Sequence, residues 1–314
     1  MALTADPVVE IKNLTKKYDN KVVVDNISLI IKDSCFALLG PNGAGKTTTF
    51  LMLLGLVRPT SGTAFMLTHD IKRGIDKVRD RIGFLPENVG FYPKLTARQH
   101  LELILKIRNE PCSNNEVESL LNWCGIDQEY WNKNVKTFSR GMKQRLGVAQ
   151  AFAGNPRIVF LDEPLSNIDA LGRDDLINKI RLKRQQGIAI VISSHIILEL
   201  EQLAEELAFI DRGKIIKYGN YIHLTNEVGF NEYEITQINK KSKISLGELK
   251  EIVESKDYKL MNAPKVLEEK IIFNSQYPEK ISHIIETFND FSLKPITGTL
   301  TRLYKHFLTQ GEIS

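Results

Sequence analysis

The segment Gly40–Thr48, "GPNGAGKTT", constrains this chain more than any other stretch. It follows the short apolar run "CFALLG" (Cys35–Gly40) and precedes "TTTFLMLLGL", in which Phe50, Leu53 and Leu54 recur at helical spacing. A buried strand, a glycine turn and a helix form the setting in which G-x-x-x-x-G-K-[ST] cradles phosphate. Gly40, Gly43 and Gly45, with Pro41, Asn42 and Ala44 between them, let backbone N–H groups curl around phosphate oxygens. The helix N-terminus adds its partial positive charge. Lys46 would reach the β- and γ-phosphates, and the Thr47 hydroxyl, followed by Thr48, would ligate Mg²⁺. A glycine turn that merely opens a helix is the plainer alternative, but it leaves the Lys-Thr pair in register unexplained.

A second element matches the first. "RIVFLDEP" (Arg157–Pro164) reads as a buried strand that delivers Asp162 to the carboxyl edge of a sheet, where it can hold Mg²⁺ beside a phosphate loop. Glu163 comes next and, pointing elsewhere than Asp162, can polarise a water for attack on a γ-phosphate. Solvated acids at a strand end are the bland alternative. The chain has no Asn-Lys-x-Asp run of the kind that reads guanine.

Around these motifs the pattern alternates. Val8–Ile11, Val22–Ile31, Arg81–Pro86 and Ile188–His195 read as strands, and Thr96 to about Asn109 and Ala170 to about Gln186 read as helices. This alternation predicts an α/β fold with a mostly parallel sheet, carrying a helical insert near residues 88–155. The segment Ile210–Asn220 closes it as a hairpin. After Tyr221 the texture changes. Strands at Tyr233–Ile238, Tyr258–Asn262, Lys270–Gln276 and "FSLKPI" are interleaved with helices at Leu246–Ser255, from Pro278 and at Leu300–Leu308. A Ser245/Glu248 capping box opens the first of these helices. The order βαββαβ predicts a small α+β unit over 221–314, separate from the domain at 1–220.

Composition narrows the setting. Of 314 residues, 42 are Lys or Arg and 38 Asp or Glu, and the net charge of +4 is spread along the chain, so it points to no nucleic-acid partner. Cys35, Cys112 and Cys124 form neither a disulfide framework nor a zinc pattern, which suits a reducing cytosol. "MALTADPVVE" has no signal-peptide character, and the apolar runs fall far short of the ~20 residues that span a bilayer.

The stretch "FSRGMKQR" (Phe138–Arg145) opens a helix, capped by Thr137 or Ser139, yet offers no nucleophile or base. A serine hydroxyl and helix N–H groups there make a second anion site on a chain whose phosphate loop already supplies one. A capped basic helix on a solvated face is the simpler alternative. Two phosphate-binding ends suggest that one serves another molecule's nucleotide.

Tyr18, "GPNGAGKTT", "FSRGMKQR", "IVFLDEP", "SNID" and "SSH" stand in the order and spacing of an ABC transporter ATP-binding subunit. Over about residues 8–220 the chain resembles that family, and most of all its drug- and antibiotic-export branch. The resemblance implies a P-loop NTPase core that hydrolyses ATP with Mg²⁺, working as a head-to-tail homodimer on a separate integral membrane permease at the inner face of the cell membrane. Tyr18 would stack on adenine, Glu163 would act on the attacking water, and His195 would contact the γ-phosphate. Ser139 and Gly141 would meet the partner's γ-phosphate in trans, with Asp169 bridging nearby. Glu87, where most relatives have glutamine, would keep an oxygen for the metal, alongside Thr47 and Asp162. Arg140 replaces a glycine common among relatives. Residues Glu87–Thr96, with Phe91 and Tyr92, would receive a short helix of the membrane subunit. A soluble ATPase of this type acting in translation or DNA maintenance is the alternative, but those relatives carry tandem domains or long coiled coils that this chain lacks. A P-loop nucleotide kinase would leave "FSRGMKQR" and His195 without a role.

Overall fold

A computed structural model describes residues 7–195, 197–237, 244–255, 260, 264–267, 270–275, 277–278, 280–282, 285 and 290–309. The chain divides into two compact units, Met1–Tyr218 and Gly219–Ser314.

Unit one is built on two sheets. Strands β1 (Val9–Tyr18), β2 (Lys21–Ile31), β4 (Ser61–Met66) and β5 (His69–Asp70) form an antiparallel sheet in the order β2-β1-β4-β5. The second has six strands in the order β10-β9-β3-β8-β7-β6. These are β3 (Cys35–Leu39), β6 (Ile82–Leu85), β7 (Ile158–Asp162), β8 (Ala189–Ser194), β9 (Glu206–Asp211) and β10 (Lys214–Asn220). Strands β6, β7, β8, β3 and β9 run parallel. The apolar run Cys35–Leu39 is buried at every position, as a parallel strand covered on both faces must be. Arg212 and Gly213, both at positive φ (47° and 80°), make the tight turn from β9 into β10.

Three helices form the insert: α2 (Ala97–Ile107), α3 (Asn114–Trp123) and α4 (Arg140–Phe152). Thr96 with Gln99 and Ser113 with Glu116 make capping boxes at the starts of α2 and α3. Their core gathers Leu101, Leu105, Val117, Leu121, Trp131 and Leu146. Two glycines let α4 lie close to β6. A Cβ on Gly83 would stand 2.0 Å from the Ala151 carbonyl oxygen, and one on Gly147 would stand 2.8 Å from Leu85 Cδ1. Gly147 therefore accepts the propensity cost of a mid-helix glycine for close packing.

At the amino edge of the parallel sheet, Asp33 accepts hydrogen bonds from Arg157 and Arg184, and Arg184 also pairs with Glu205 at 3.0 Å. Asp33, Arg157 and Glu205 sit where the chain enters β3, β7 and β9, and Arg184 lies in the last turn of the helix before β8. Arg157 also donates to the Gly187 carbonyl at the approach to β8 (2.7 Å). One ionic cluster thus ties four strand starts together.

Unit two begins with helix α7 (Tyr221–Glu227), capped by the Asn220 side chain on the N–H groups of Ile222 and His223. Strands β11 (Glu232–Gln237), β12 (Lys265–Leu267), β13 (Lys270–Asn274) and β14 (Phe291–Pro295) pair antiparallel in the order β12-β13-β11-β14. With helix α8 (Leu246–Ser255) after β11, helical residues from Pro278 after β13, and a last helix at Thr299–Thr309, this is the βαββαβ arrangement. Tyr233, Ile235, Ile271 and Phe273 face Leu249, Val253, Ile281 and Ile285 in one core. The expected strand at Tyr258–Asn262 lies outside the described residues apart from Leu260, which bridges Ser275, and the next described strand is Lys265–Leu267. The expected Ile238 and Gln276 strand ends also lie outside them.

Candidate functional site

The loop between β3 and α1 (Lys46–Leu53) wraps on itself. Gly43 and Gly45 hold φ of 80° and 107°, which side-chain-bearing residues rarely adopt. A Cβ on Gly40 would lie 2.2 Å from the Ile210 carbonyl oxygen, so only glycine lets β9 pass. Lys46 is 6% exposed and donates from Nζ to the carbonyls of Gly40 (2.8 Å) and Pro41 (3.2 Å), spanning its own loop. Burial pushes the Lys46 ammonium below the usual lysine range, while Glu163, Asp162 and Glu87 pull it back. Its ammonium group thus lies among three carboxylates, at the place a triphosphate would enter.

Strand β7 carries Asp162 to the same place. Thr47 Oγ1 donates to Asp162 Oδ2 at 2.7 Å, and the Ser193 hydroxyl from β8 donates to Oδ1. Alternation along a strand would send Glu163 to the opposite face. Instead Glu163 takes a left-handed φ of 52° and turns its carboxylate into the same cleft as Asp162. That corrects the expectation that it points elsewhere. Its Oε2 lies 2.9 Å from His195 Nδ1 and 3.3 Å from Ser194 Oγ, and its Oε1 lies 3.9 Å from Lys46 Nζ. His195 Nδ1 thus faces the Glu163 carboxylate in the cleft.

A cavity of about 380 Å³ is lined by Val23, Asn42, Gly43, Gly45, Lys46, Thr47, Thr48, Glu87, Asp162, Glu163 and His195. The structure thus gathers most of the predicted phosphate-, metal- and water-facing residues around one cleft. Hard oxygens from Thr47, Asp162 and Glu87 suit Mg²⁺, which prefers such ligands. Tyr18, at the end of β1, is 44% exposed, with Lys16 Nζ 4.5 Å from its ring centre.

Ser139, Gly141 and Asp169 do not line this cavity. Ser139 caps α4, accepting from the Met142 N–H at 3.1 Å, which settles the choice between Thr137 and Ser139. Asp169 caps α5 (Ala170–Gln185), accepting from the Gly172 N–H at 2.7 Å. Gly141 packs on the "SNID" loop, where a Cβ would come within 3.1 Å of the Asn167 carbonyl oxygen. Sequence reading missed Ser193, Ser194, Val23 and Gln144. The two serines were in view only as neighbours of His195, and nothing in the sequence links Gln144 to Glu163.

Comparison with known proteins bears on this geometry. Residues 24–166 match the ABC transporter family model. The chain is 36% identical over 236 residues to the bacitracin transport ATP-binding protein BcrA of Bacillus licheniformis, covering 74% of this chain and 76% of that one. It is 32% identical over 233 residues to the Nod factor export ATP-binding protein I of Ralstonia nicotianae, covering 73% and 72%. A solved structure of the ATP-binding subunit of an ABC transporter superposes with a TM-score of 0.64 at 26% identity, covering 71% of this chain and 93% of that chain. The chain belongs to the ATP-binding subunits of ABC transporters and is an ATPase that uses Mg²⁺.

Proposed function

We propose that this subunit powers export, that two copies pair head to tail around ATP, and that the pair drives a separate membrane permease. The observation that carries the reading is a division of the site. Base, lysine and metal-holding oxygens line one cleft, whereas Ser139 and Gly141 lie outside it, on a helix tip available to a second copy. The names of relatives that transport bacitracin or export Nod factor support the direction.

Thr47, Asp162 and Glu87 would hold Mg²⁺, which neutralises charge building on the β- and γ-phosphates. Loop N–H groups and Lys46 bind the phosphate oxygens, and Tyr18 stacks on adenine. Glu163, steadied by Ser194 and His195, accepts the proton of the attacking water. His195 contacts the γ-phosphate. In the closed pair, Ser139 Oγ and the N–H groups at the start of α4 approach the γ-phosphate held by the other copy, with Asp169 beside that seam. Among the described residues no helix is long and apolar enough to cross a membrane. Glu87–Thr96 is its docking loop. There Phe91 packs on His100 at 4.9 Å between ring centres, while Tyr92 stays 63% exposed. A docked helix shifting this loop also shifts Glu87, joining the permease to the nucleotide. The pair would then sit at the inner face of the cell membrane.

The test is Glu163→Gln, measured for ATP binding, turnover and mass by light scattering. Expected are retained binding, turnover reduced roughly 10²–10⁴-fold, and an ATP-dependent dimer. Turnover near wild type would remove Glu163 from its role, and an ATP-loaded monomer would remove the pairing.

A further inference from the structure

The geometry points to Gln144, in the signature helix α4, as a positioning residue for the general base of its own chain. The inference rests on Glu163 being that base. Gln144 is 4% exposed, and its Nε2 donates to the carbonyls of both Glu163 (3.2 Å) and Pro164 (3.0 Å).

Those two carbonyls are where the strand end leaves regular pairing. Glu163 must sit at φ 52° to share a cleft with Asp162, a conformation disfavoured for a residue with a side chain. Its N–H is fixed by the Ser193 carbonyl at 3.1 Å, which pins one side of the residue to β8. Its carbonyl, turned inward by the left-handed step, accepts from Ser166 N–H at 3.2 Å and from Gln144. Buried carbonyls need donors, and the amide of Gln144 serves two at once. Without it the cheapest relaxation is to rotate the Glu163–Pro164 peptide toward an extended path. That rotation takes the carboxylate away from Lys46, Ser194 and His195.

Gln144 lies in the same helix that Ser139 caps, so the tip offered to the partner copy and the support of the cis base move as one body. Displacement of α4 away from closure would disarm the base of the same chain. An ordinary buried glutamine, satisfied but idle, is the competing account.

Gln144→Met keeps the shape and removes the donor. The measurements are kcat and KM for ATP, ATP dissociation by fluorescent-nucleotide titration, and single-turnover hydrolysis, each in the wild-type and Glu163→Gln backgrounds of the full chain. Expected is a fall in kcat of about tenfold or more with KM and dissociation constant within about twofold. In the Glu163→Gln background Gln144→Met should add no further loss. A kcat within about twofold of wild type, a parallel loss of ATP affinity, or the same fold-loss in both backgrounds overturns the inference. If Gln144→Met does not fold, Gln144→Asn, which withdraws the amide by one methylene, carries the same expectations and the same refutations. Glu163→Gln alone turning over at the wild-type rate would sink the base itself. A slow Glu163→Gln with a fast Gln144→Met sinks only the role of Gln144.

Discussion

Replacing Gly83 by alanine tests whether β6 and α4 are held as one rigid piece. The added Cβ would stand 2.0 Å from the Ala151 carbonyl oxygen, 3.0 Å from its carbon and 3.0 Å from Val159 Cγ2. Contacts under 3.0 Å are essentially never made by real Cβ atoms, so helix and strand must part by roughly 1 Å. The obstacle is backbone, so no side-chain rotation relieves it. Overpacking costs about 1–3 kcal/mol, and a backbone obstacle belongs at the upper end, near 3 kcal/mol. Against a typical stability of about 5–15 kcal/mol this is a large fraction. The assay is urea unfolding followed through the first transition, with Gly90→Ala as control because nothing lies within 4 Å of a Cβ there. Gly83→Ala should lower the midpoint clearly while Gly90→Ala stays within about 0.5 kcal/mol of wild type. ATP turnover of Gly83→Ala should also fall, because α4 carries Ser139 and Gln144. A Gly83→Ala protein as stable as wild type would refute the reasoning: the helix could then back away freely, and close packing would not fix its tip.

Three further expectations follow from single sites. Tyr18→Ala should weaken ATP binding by about 5- to 150-fold, the equivalent of about 1–3 kcal/mol of stacking, while Tyr18→Trp keeps it; equal affinities by titration calorimetry would deny the stack. Gly247→Ala, where a Cβ meets nothing nearer than Ser245 Oγ at 3.7 Å, should stabilise the second unit by about 0.5–1 kcal/mol, and any loss in thermal unfolding would contradict a strain-free helical site. Burial holds the His100 imidazole below the usual histidine range, so the unfolded chain takes up this proton near pH 6.5 and the folded chain only at lower pH. The unfolded state then binds more protons, and stability is lost as pH falls below about 6.5. His100→Phe should lose less stability than wild type between pH 7 and pH 5; parallel pH curves would count against it.

The parallel core was legible because its signals are local. "CFALLG", "RIVFLDEP" and "IAIVISSH" are apolar runs too short for helices, and each ends in a residue that chemistry singles out. The capping box of Ser245 and Glu248 likewise appears within four adjacent residues and recurs in the structure. What escaped depends on distant partners. Strand β1 runs on through "NLTKKY" to Tyr18 only because β2 and β4 flank it, with register shifts that the polar sequence does not announce. Strand β4, "SGTAFM", has neither alternation nor a β-branched run. Helix α7 is seven residues long, and its Asn220 cap is a weak signal beside a hairpin. The aim of Glu163 was also out of reach, since alternation predicts the wrong face and only the left-handed turn reverses it. Gln144 and the two serines of β8 act through carbonyls and carboxylates that folding brings near.

The cluster built on Asp33 has a consequence for how this ATPase can cycle. Nucleotide handling happens at the strands' carboxyl ends, whereas Asp33, Arg157, Arg184 and Glu205 clamp the opposite ends. Anchorage and chemistry are therefore at separate poles of one sheet. Loops at the working pole can rearrange in each catalytic round while the far pole keeps strand spacing constant, much as a hand moves from a braced wrist. Weakening the brace should cost heat tolerance before it costs turnover.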